Sequence, residues 1–164
     1  MRHPTPDAVG PGQESVWDYP RPPGLDRVDR LVKVRFDDHT IADATHAFRV
    51  LETSHPPTYY LPAEFVDHDR LAAAPGGSMC EWKGAAAYFD VIGETRRAER
   101  AAWFYPEPTT RFAALAGCLA FYPGSVECTV DGETVTPQPG KFYGGWVTSD
   151  VVGPFKGEPG TQFW

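Results

Sequence analysis

Cysteine is scarce in this sequence, and the cysteines present form neither a metal-binding nor a disulfide pattern. Cys80, Cys118 and Cys128 are odd in number and include no Cys-x-x-Cys pair. This spacing argues against a disulfide framework and favours reduced, mostly buried thiols. The sequence also lacks His-x-x-x-His and His-Glu-x-x-His motifs. We therefore expect no metal site and no cofactor.

Basic residues and long apolar runs are also in short supply. The chain carries 15 Lys and Arg residues against 22 Asp and Glu residues, for a net charge of −7. Because no basic block or stripe interrupts this acidic balance, nucleic acid is not expected as a partner. The apolar runs are too short to span a membrane, and the N-terminus lacks the apolar core of a signal peptide. These absences predict a cytoplasmic protein without a membrane partner.

The composition that remains is that of one globular domain. A length of 164 residues with 41% hydrophobic and 23% charged residues suits a single domain with a proper core. Residues 1–24, rich in Pro and Gly, are predicted to form a disordered or extended arm. Residues 25–136 make up the predicted β domain. Residues 137–164 are predicted to form a strap, rich in Gly, Pro and aromatic residues, that packs on the same domain and buries its aromatic side chains.

The predicted β domain consists almost entirely of short strands with close turns. Alternation and turn signals predict strands at 31–36, 40–42, 48–52, 59–61, 85–91, 101–105, 119–122 and 126–130. Short helices are predicted at 63–66 and 109–117, and Asp131-Gly132 predicts a tight hairpin turn. This pattern is typical of a compact antiparallel sandwich or small barrel, and a small barrel can hold one small ligand.

The segment Cys80-Glu81-Trp82-Lys83-Gly84 concentrates a thiol, an acid and a base. We interpret it as part of a buried strand, which would place Glu81 and Lys83 on one face and Cys80 and Trp82 on the other. Charges on a half-buried strand are normally paired or used. Glu81 and Lys83 are therefore candidate acid/base groups of a pocket. The alternative is an exposed cross-strand ion pair, with Cys80 as a small core residue.

Arg49, Glu52 and His55 form a second group of candidates. Arg49 and Glu52 lie on opposite faces if the segment is a strand, and pair with each other if it is a helical turn. Either residue is a candidate ligand-binding group, and Arg is suited to carboxylate or phosphate. His55 stands in a proline-bounded loop and is a candidate general base, with Cys80 as the nucleophile.

Several tyrosines adjoin prolines or strand ends. They are predicted either to form an aromatic rim that orients a ligand or to pack as ordinary strand ends. These candidate ligand-binding residues are Tyr59, Tyr60, Tyr105 and Tyr122.

The chain resembles a known family in several stretches. These are Arg-Val-Leu-Glu-Thr at 49–53, Pro-Thr-Tyr-Tyr-Leu-Pro at 57–62, Cys-Glu-Trp-Lys-Gly at 80–84, Ala-Trp-Phe-Tyr-Pro at 102–106, Ala-Phe-Tyr-Pro at 120–123 and Val-Asp-Gly-Glu at 130–133. Together they resemble the domain of unknown function family 427. The resemblance implies a compact, mostly β fold of barrel or tent type, and it brings a nucleotidyltransferase-like label.

Nucleotidyl transfer requires paired carboxylates that hold divalent ions against the phosphates. The one Asp-x-Asp pair in the sequence, Asp67 and Asp69, lies in a polar segment. The small loop at 76–78 follows this pair, whereas the usual transferase arrangement places such a loop before the acids. We therefore do not expect nucleotidyl transfer.

The function predicted from the sequence is binding of, or action on, a small polar or anionic metabolite. The expected pocket contains Glu81, Lys83, Arg49 and Glu52. The alternative is a non-catalytic interaction module that uses the aromatic strap to bind another chain or a second copy of itself as a homodimer. The sequence does not decide whether the protein is an enzyme.

Overall fold

The computed structural model describes residues 3–164, and within this range the chain forms fifteen strands and four short 3-10 helices. The strands are β1 (Glu14–Ser15), β2 (Gly24–Val28), β3 (Val32–Phe36), β4 (His39–Ala44), β5 (Ala47–Leu51), β6 (Thr58–Pro62), β7 (Leu71–Cys80), β8 (Gly84–Ile92), β9 (Arg97–Phe104), β10 (Cys118–Phe121), β11 (Glu127–Val130), β12 (Glu133–Thr134), β13 (Thr136–Pro137), β14 (Trp146–Val147) and β15 (Val151–Val152). The 3-10 helices are Val16–Asp18, Ala63–Phe65, His68–Arg70 and Thr110–Leu115. None of these helices has the length and apolar character needed to cross a bilayer.

Two antiparallel sheets make up most of the fold. The seven-stranded sheet has the order β2-β5-β6-β10-β9-β8-β7, and the four-stranded sheet has the order β12-β11-β3-β4. The prediction of a mainly β, antiparallel single domain with short helices is confirmed. The barrel is not confirmed, because among the described strands β2 and β7 stand at opposite ends of their sheet instead of pairing.

Side-chain alternation on both sheets builds the main core between them. β3 directs Val32, Val34 and Phe36 inward, while Lys33 and Arg35 face solvent. The residues that meet them from the seven-stranded sheet are Ala47, Tyr59, Leu61, Val91, Ala101, Ala102, Leu119 and Phe121. Each large apolar side chain buried here stabilises the fold by about 1.5–3 kcal/mol.

The opposite face of the seven-stranded sheet carries a second core. Its sheet residues are Val50, Tyr60, Ala86, Trp103, Cys118 and Ala120, and Tyr105 joins them directly after β9. The 3-10 helix Thr110–Leu115 packs on this face through Phe112 and Leu115, both of which are buried. The predicted helix at 109–117 is thus present as a shorter 3-10 helix.

The tight turn predicted at Asp131-Gly132 is confirmed. Asp131 and Gly132 both have positive φ, at 49° and 84°, as a two-residue hairpin turn of type I′ requires. Val130 of β11 pairs with Glu133 of β12 across this turn.

The sequence pattern does not predict the two edge strands, β2 and β7. The middle of β7 is made of Ala, Pro and Gly residues, which have low strand propensity. Pro75 is tolerated because an edge strand has one unpaired side. The register with β8 shifts between Ala74 and Gly77, where Gly76 has a φ of 84°. Pairing with β8, rather than local propensity, therefore defines this strand.

The described part of the N-terminal arm lies against the C-terminal segment. β1 pairs in parallel with β15, and Val16 is fully buried beside Val151. Trp17 Nε1 donates a hydrogen bond to the carbonyl oxygen of Pro154 at 2.9 Å. The predicted disorder at Met1 and Arg2 falls outside the described residues.

One aromatic residue of the C-terminal segment enters the main core. The Trp146 side chain is fully buried, stacks on Tyr59 with ring centroids 4.9 Å apart, and donates Nε1–H to the Phe121 carbonyl oxygen at 3.0 Å. The expectation that the strap buries its aromatic residues therefore holds for Trp146. It is wrong for Phe142 and Phe163, which are 82% and 69% exposed.

We predict that Trp146→Phe lowers the free energy of unfolding by about 2–3 kcal/mol, because it leaves a cavity and an unpaired buried carbonyl oxygen at Phe121. Urea denaturation measures the change. Trp164→Phe, at a half-buried position near the chain end, is the matched control and should cost less than about 0.5 kcal/mol. Equal losses in the two variants would contradict the role assigned to Trp146.

Candidate functional site

The segment 80–84 forms a turn rather than the interior of a strand. β7 ends at Cys80 and β8 begins at Gly84, and these two residues pair across the turn. Gly84 has a φ of 107°. Thr109, which is not part of the hairpin, holds the turn by two hydrogen bonds. Its Oγ1 donates to the Trp82 carbonyl oxygen at 2.6 Å, and its N–H donates to the Lys83 carbonyl oxygen at 3.1 Å. The prediction that alternation separates Cys80 from Lys83 is therefore wrong.

A cleft of about 770 Å³ lies on the face of the seven-stranded sheet that carries the second core. Its floor is built from side chains of β5, β6, β8 and β9. Residues 80–83 of the β7–β8 turn form one side of the cleft, and residues 138–144 with Lys156 form another. The predicted site residues that line it are Glu52, His55, Tyr60, Cys80, Glu81, Lys83, Tyr105 and Tyr122.

Cations are concentrated in this cleft. Three of the four lysines in the chain line it, namely Lys83, Lys141 and Lys156, together with Arg100. Only two carboxylate side chains, those of Glu52 and Glu81, line the same cleft in the part of the chain that the structure describes. The cleft is thus locally positive in a chain whose net charge is −7, and it attracts anions.

Aromatic rings make up much of the floor of the cleft. Trp103 is 6% exposed and lies 4.4 Å from Tyr122 and 6.2 Å from Tyr60, measured between ring centroids. Burial raises the pKa of Tyr60 well above its usual value, and it raises that of Tyr122 to about 12. These phenols therefore stay neutral near pH 7 and act as hydrogen-bond donors or acceptors.

Three of the cations lie over rings of the cleft. Arg100 Cζ is 4.0 Å from the Tyr88 ring centroid, Lys83 Nζ is 5.8 Å from that of Tyr105, and Lys156 Nζ is 5.7 Å from that of Tyr143. Arg100 Nη1 also donates to the Pro75 carbonyl oxygen at 2.6 Å. Such contacts hold cationic side chains at the wall of the cleft while leaving donors free for a ligand.

His55 is held in the cleft by Gln138. The Gln138 side chain is 2% exposed, donates Nε2–H to His55 Nδ1 at 3.0 Å and to the Lys156 carbonyl oxygen at 2.8 Å, and accepts from Gly145 N–H at 3.1 Å. Tyr143 packs edge-on against the imidazole, with centroids 4.9 Å apart. The lone pair of Nδ1 is therefore occupied, which disfavours the predicted use of His55 as a general base.

Arg49 and Tyr59 do not line this cleft. They lie on the other face of the seven-stranded sheet, because alternation on β5 and β6 sends Val50 and Tyr60 towards the cleft instead. Arg49 makes a bidentate pair with Asp26, with bonds of 3.0 and 2.7 Å, and a third bond of 2.8 Å to Glu14.

Tyr59 is likewise engaged outside the cleft. Its hydroxyl accepts a hydrogen bond from Arg30 Nη1 at 3.0 Å, and its ring stacks on Trp146. On the side of the sheet away from the cleft, Arg49 therefore links β5 to β2 and the N-terminal arm. Tyr59 links β6 to Arg30 and to Trp146 of the C-terminal segment.

The side-chain alternation expected for a strand at β5 predicts the correct face of the sheet for Arg49. Arg49 and Glu52 are predicted on opposite faces if the segment is a strand, and β5 is a strand up to Leu51. The cleft residues Arg100, Gln138 and Lys156 were not predicted. Their sequence neighbourhoods carry no motif, and they reach the cleft only through the pairing of β8 with β9 and the path of the C-terminal segment.

We predict that Arg49→Met lowers the free energy of unfolding by about 2 kcal/mol, since the Arg49 side chain is 8% exposed and bound to Asp26 and Glu14. The partner carboxylates can rehydrate on removal, which keeps the loss moderate. Arg27→Met, on the adjacent strand with an exposed pair to Asp29, is the control and should change stability by less than about 0.5 kcal/mol. Thermal and urea unfolding of both variants would reveal whether Arg49 is a structural residue. A loss no larger than that of the control would refute it.

Burial, together with the charges of Lys156, Arg21 and Lys83, lowers the pKa of His55 to about 4 from its ordinary value of 6.5. The unfolded chain therefore takes up a proton on this ring near pH 6.5, whereas the folded chain does so only near pH 4. The resulting stability loss is absent above about pH 6.5 and grows as the pH falls towards 4.

We predict that wild type loses about 2 kcal/mol more stability than His55→Gln between about pH 7 and pH 5. Urea denaturation at the two pH values measures this difference, and His68→Gln, at an exposed position, should behave like wild type. If His55→Gln kept the wild-type pH dependence of stability, the lowered pKa assigned to His55 would be wrong.

A known family matches most of the chain. The family described as Domain of unknown function (DUF427) matches residues 24–132, well over half of the chain. The chain belongs to the DUF427 family. The DUF427 match includes the sheet strands that form the cleft floor and the turn at 80–84, and it ends before Gln138, Lys141 and Lys156. No curated protein matches the chain.

The Asp-x-Asp pair considered for nucleotidyl transfer has a local structural role in this DUF427 member. Asp67 caps the 3-10 helix His68–Arg70 and accepts a hydrogen bond from the Asp69 backbone N–H at 3.1 Å. Both carboxylates are exposed, and neither lines the cleft. Within residues 3–164, no three His, Cys, Asp or Glu side chains are grouped as a metal ligand set.

Proposed function

We propose that this DUF427 protein binds a small anionic molecule with a flat apolar part in the cleft on the seven-stranded sheet. The observation that carries the proposal is the collection of Lys83, Lys141, Lys156 and Arg100 around an aromatic floor in an acidic chain. A pocket of a few hundred Å³ with apolar walls and a few convergent polar groups is the usual form of a small-molecule site.

The two parts of the cleft have complementary tasks. Trp103 and Tyr122 provide aromatic surface against which an apolar ring can pack. Lys83 and Lys156 lie near the rings of Tyr105 and Tyr143, at 5.8 and 5.7 Å from their centroids. A negative group at the edge of a stacked ring would therefore meet an ammonium group from either side.

Binding is better supported than catalysis. Cys80, Glu81 and Lys83 line the cleft together, so acid/base or thiol chemistry on a bound ligand stays a prediction. Arg49 is not part of the proposed site, because its donors are taken up by Asp26 and Glu14.

The rival role as an interaction module has less support. Trp146 packs in the core and Tyr143 lines the cleft wall. These two aromatic side chains of the C-terminal segment therefore make contacts within the chain and are not free to bind a partner. The homodimer stays a prediction, for which the exposed Phe142 and Phe163 offer apolar surface.

Benzoate and benzamide provide a matched test of the proposed site, because the two molecules share a ring and differ in charge. We expect benzoate to bind with a Kd on the order of 1 mM, as suits so small a molecule, and benzamide to bind more weakly. Titration of the 15N-labelled protein, followed at the indole signals of Trp82 and Trp103, measures both affinities.

Lysine substitutions connect that binding to the cleft. Lys83→Met and Lys156→Met should each weaken benzoate binding about threefold, as expected for a partly exposed ion pair. Lys33→Met, on the solvent face of β3, removes the one lysine outside the cleft and should leave the affinity unchanged. Equal binding of benzamide, or an equal effect of Lys33→Met, would rule out an anion site here.

A further inference from the structure

We propose that His55 and Glu52 together recognise a hydroxyl group on the ligand, so that the cleft is selective for hydroxylated anions. This inference rests on the proposed function and names a chemical feature of the ligand at that site. It is carried by the donor and acceptor arrangement around the imidazole. Both side chains are partly buried and line the cleft.

The tautomer of His55 follows from the contacts of Gln138. The carboxamide of Gln138 is oriented by two backbone groups, since its oxygen accepts from Gly145 N–H and its nitrogen donates to the Lys156 carbonyl oxygen. The amide nitrogen must then face His55 Nδ1, at 3.0 Å. Because an N–H donor faces Nδ1, that atom carries no proton, and the ring proton of neutral His55 is on Nε2.

The spacing between the two side chains leaves a place for one oxygen atom. His55 Nε2 lies 3.9 Å from Glu52 Oε2, which is too long for a direct hydrogen bond and short enough for an oxygen about 2.8 Å from each. Such an oxygen must accept from Nε2–H and donate to the carboxylate. A hydroxyl group does both, whereas an ether, a carbonyl or a methyl group does not.

Charges around this position favour an anionic ligand over a neutral alcohol. Lys156 and Lys83 both act electrostatically on His55, and Lys156 Nζ lies over the ring of Tyr143, which packs edge-on against the imidazole. The hydroxyl position and the cationic wall thus belong to one compartment of the cleft. A hydroxylated aromatic or aliphatic carboxylate has the matching chemistry.

The test compares 3- and 4-hydroxybenzoate with 3- and 4-methylbenzoate, since hydroxyl and methyl groups are similar in size. We expect at least one hydroxybenzoate to bind about fivefold more tightly than its methyl counterpart. Glu52→Leu should abolish that preference, so that the hydroxybenzoate binds no more tightly than its methyl counterpart. Glu64→Leu, at an exposed position outside the cleft, is the matched control and should keep it.

A second measurement does not depend on any variant. Long-range 1H–15N spectra of the full chain at neutral pH should show His55 neutral, with the proton on Nε2, and the Nε2 signal should move on addition of the preferred hydroxybenzoate. A proton on Nδ1, or equal affinities for hydroxyl and methyl partners, would overturn the hydroxyl assignment and leave the anion site intact. Absence of benzoate binding would remove the anion site and this inference with it.

Discussion

The buried carboxamide of Gln138 is the interaction on which the cleft depends. It joins three parts of the chain that are distant in sequence, through His55, the Gly145 backbone and the Lys156 carbonyl oxygen. A primary amide is suited to this position because it supplies two donors and an acceptor in one plane. A carboxylate there would place negative charge against the Lys156 carbonyl oxygen, and an apolar group would leave buried polar atoms without partners.

The general fold could be predicted from the sequence because its determinants are local. The alternation in β3 and the Asp131-Gly132 turn each specify their structure within a few residues. β7 could not be predicted, since its Ala, Pro and Gly residues form a strand only through pairing with β8. The turn at 80–84 was misinterpreted for the same reason: Gly84 and the contacts from Thr109 reverse the chain there, and those contacts come from a later segment.

The residues of the candidate site could also be predicted only in part. Glu52, Lys83 and Tyr60 were predicted as site residues from their chemistry, and they line one cleft. Arg49 has equally suggestive chemistry and lies on the opposite face of the sheet, where Asp26 and Glu14 neutralise it. Residue type alone therefore cannot distinguish a ligand-binding arginine from one that holds two segments together. The face of the strand and the partners brought by β2 and the arm make that distinction.

The family match ends between the floor of the cleft and one of its walls. The aromatic floor lies within residues 24–132, whereas the wall with Gln138, Tyr143 and Lys156 follows it. This wall is anchored to the segment before β6, where Lys156 N–H donates to the Ser54 carbonyl oxygen and Trp146 N–H to that of Pro57, both at 2.8 Å. The sheet that forms the floor of the cleft therefore lies within the family match, while the residues that hold His55 and supply Lys156 come from outside it.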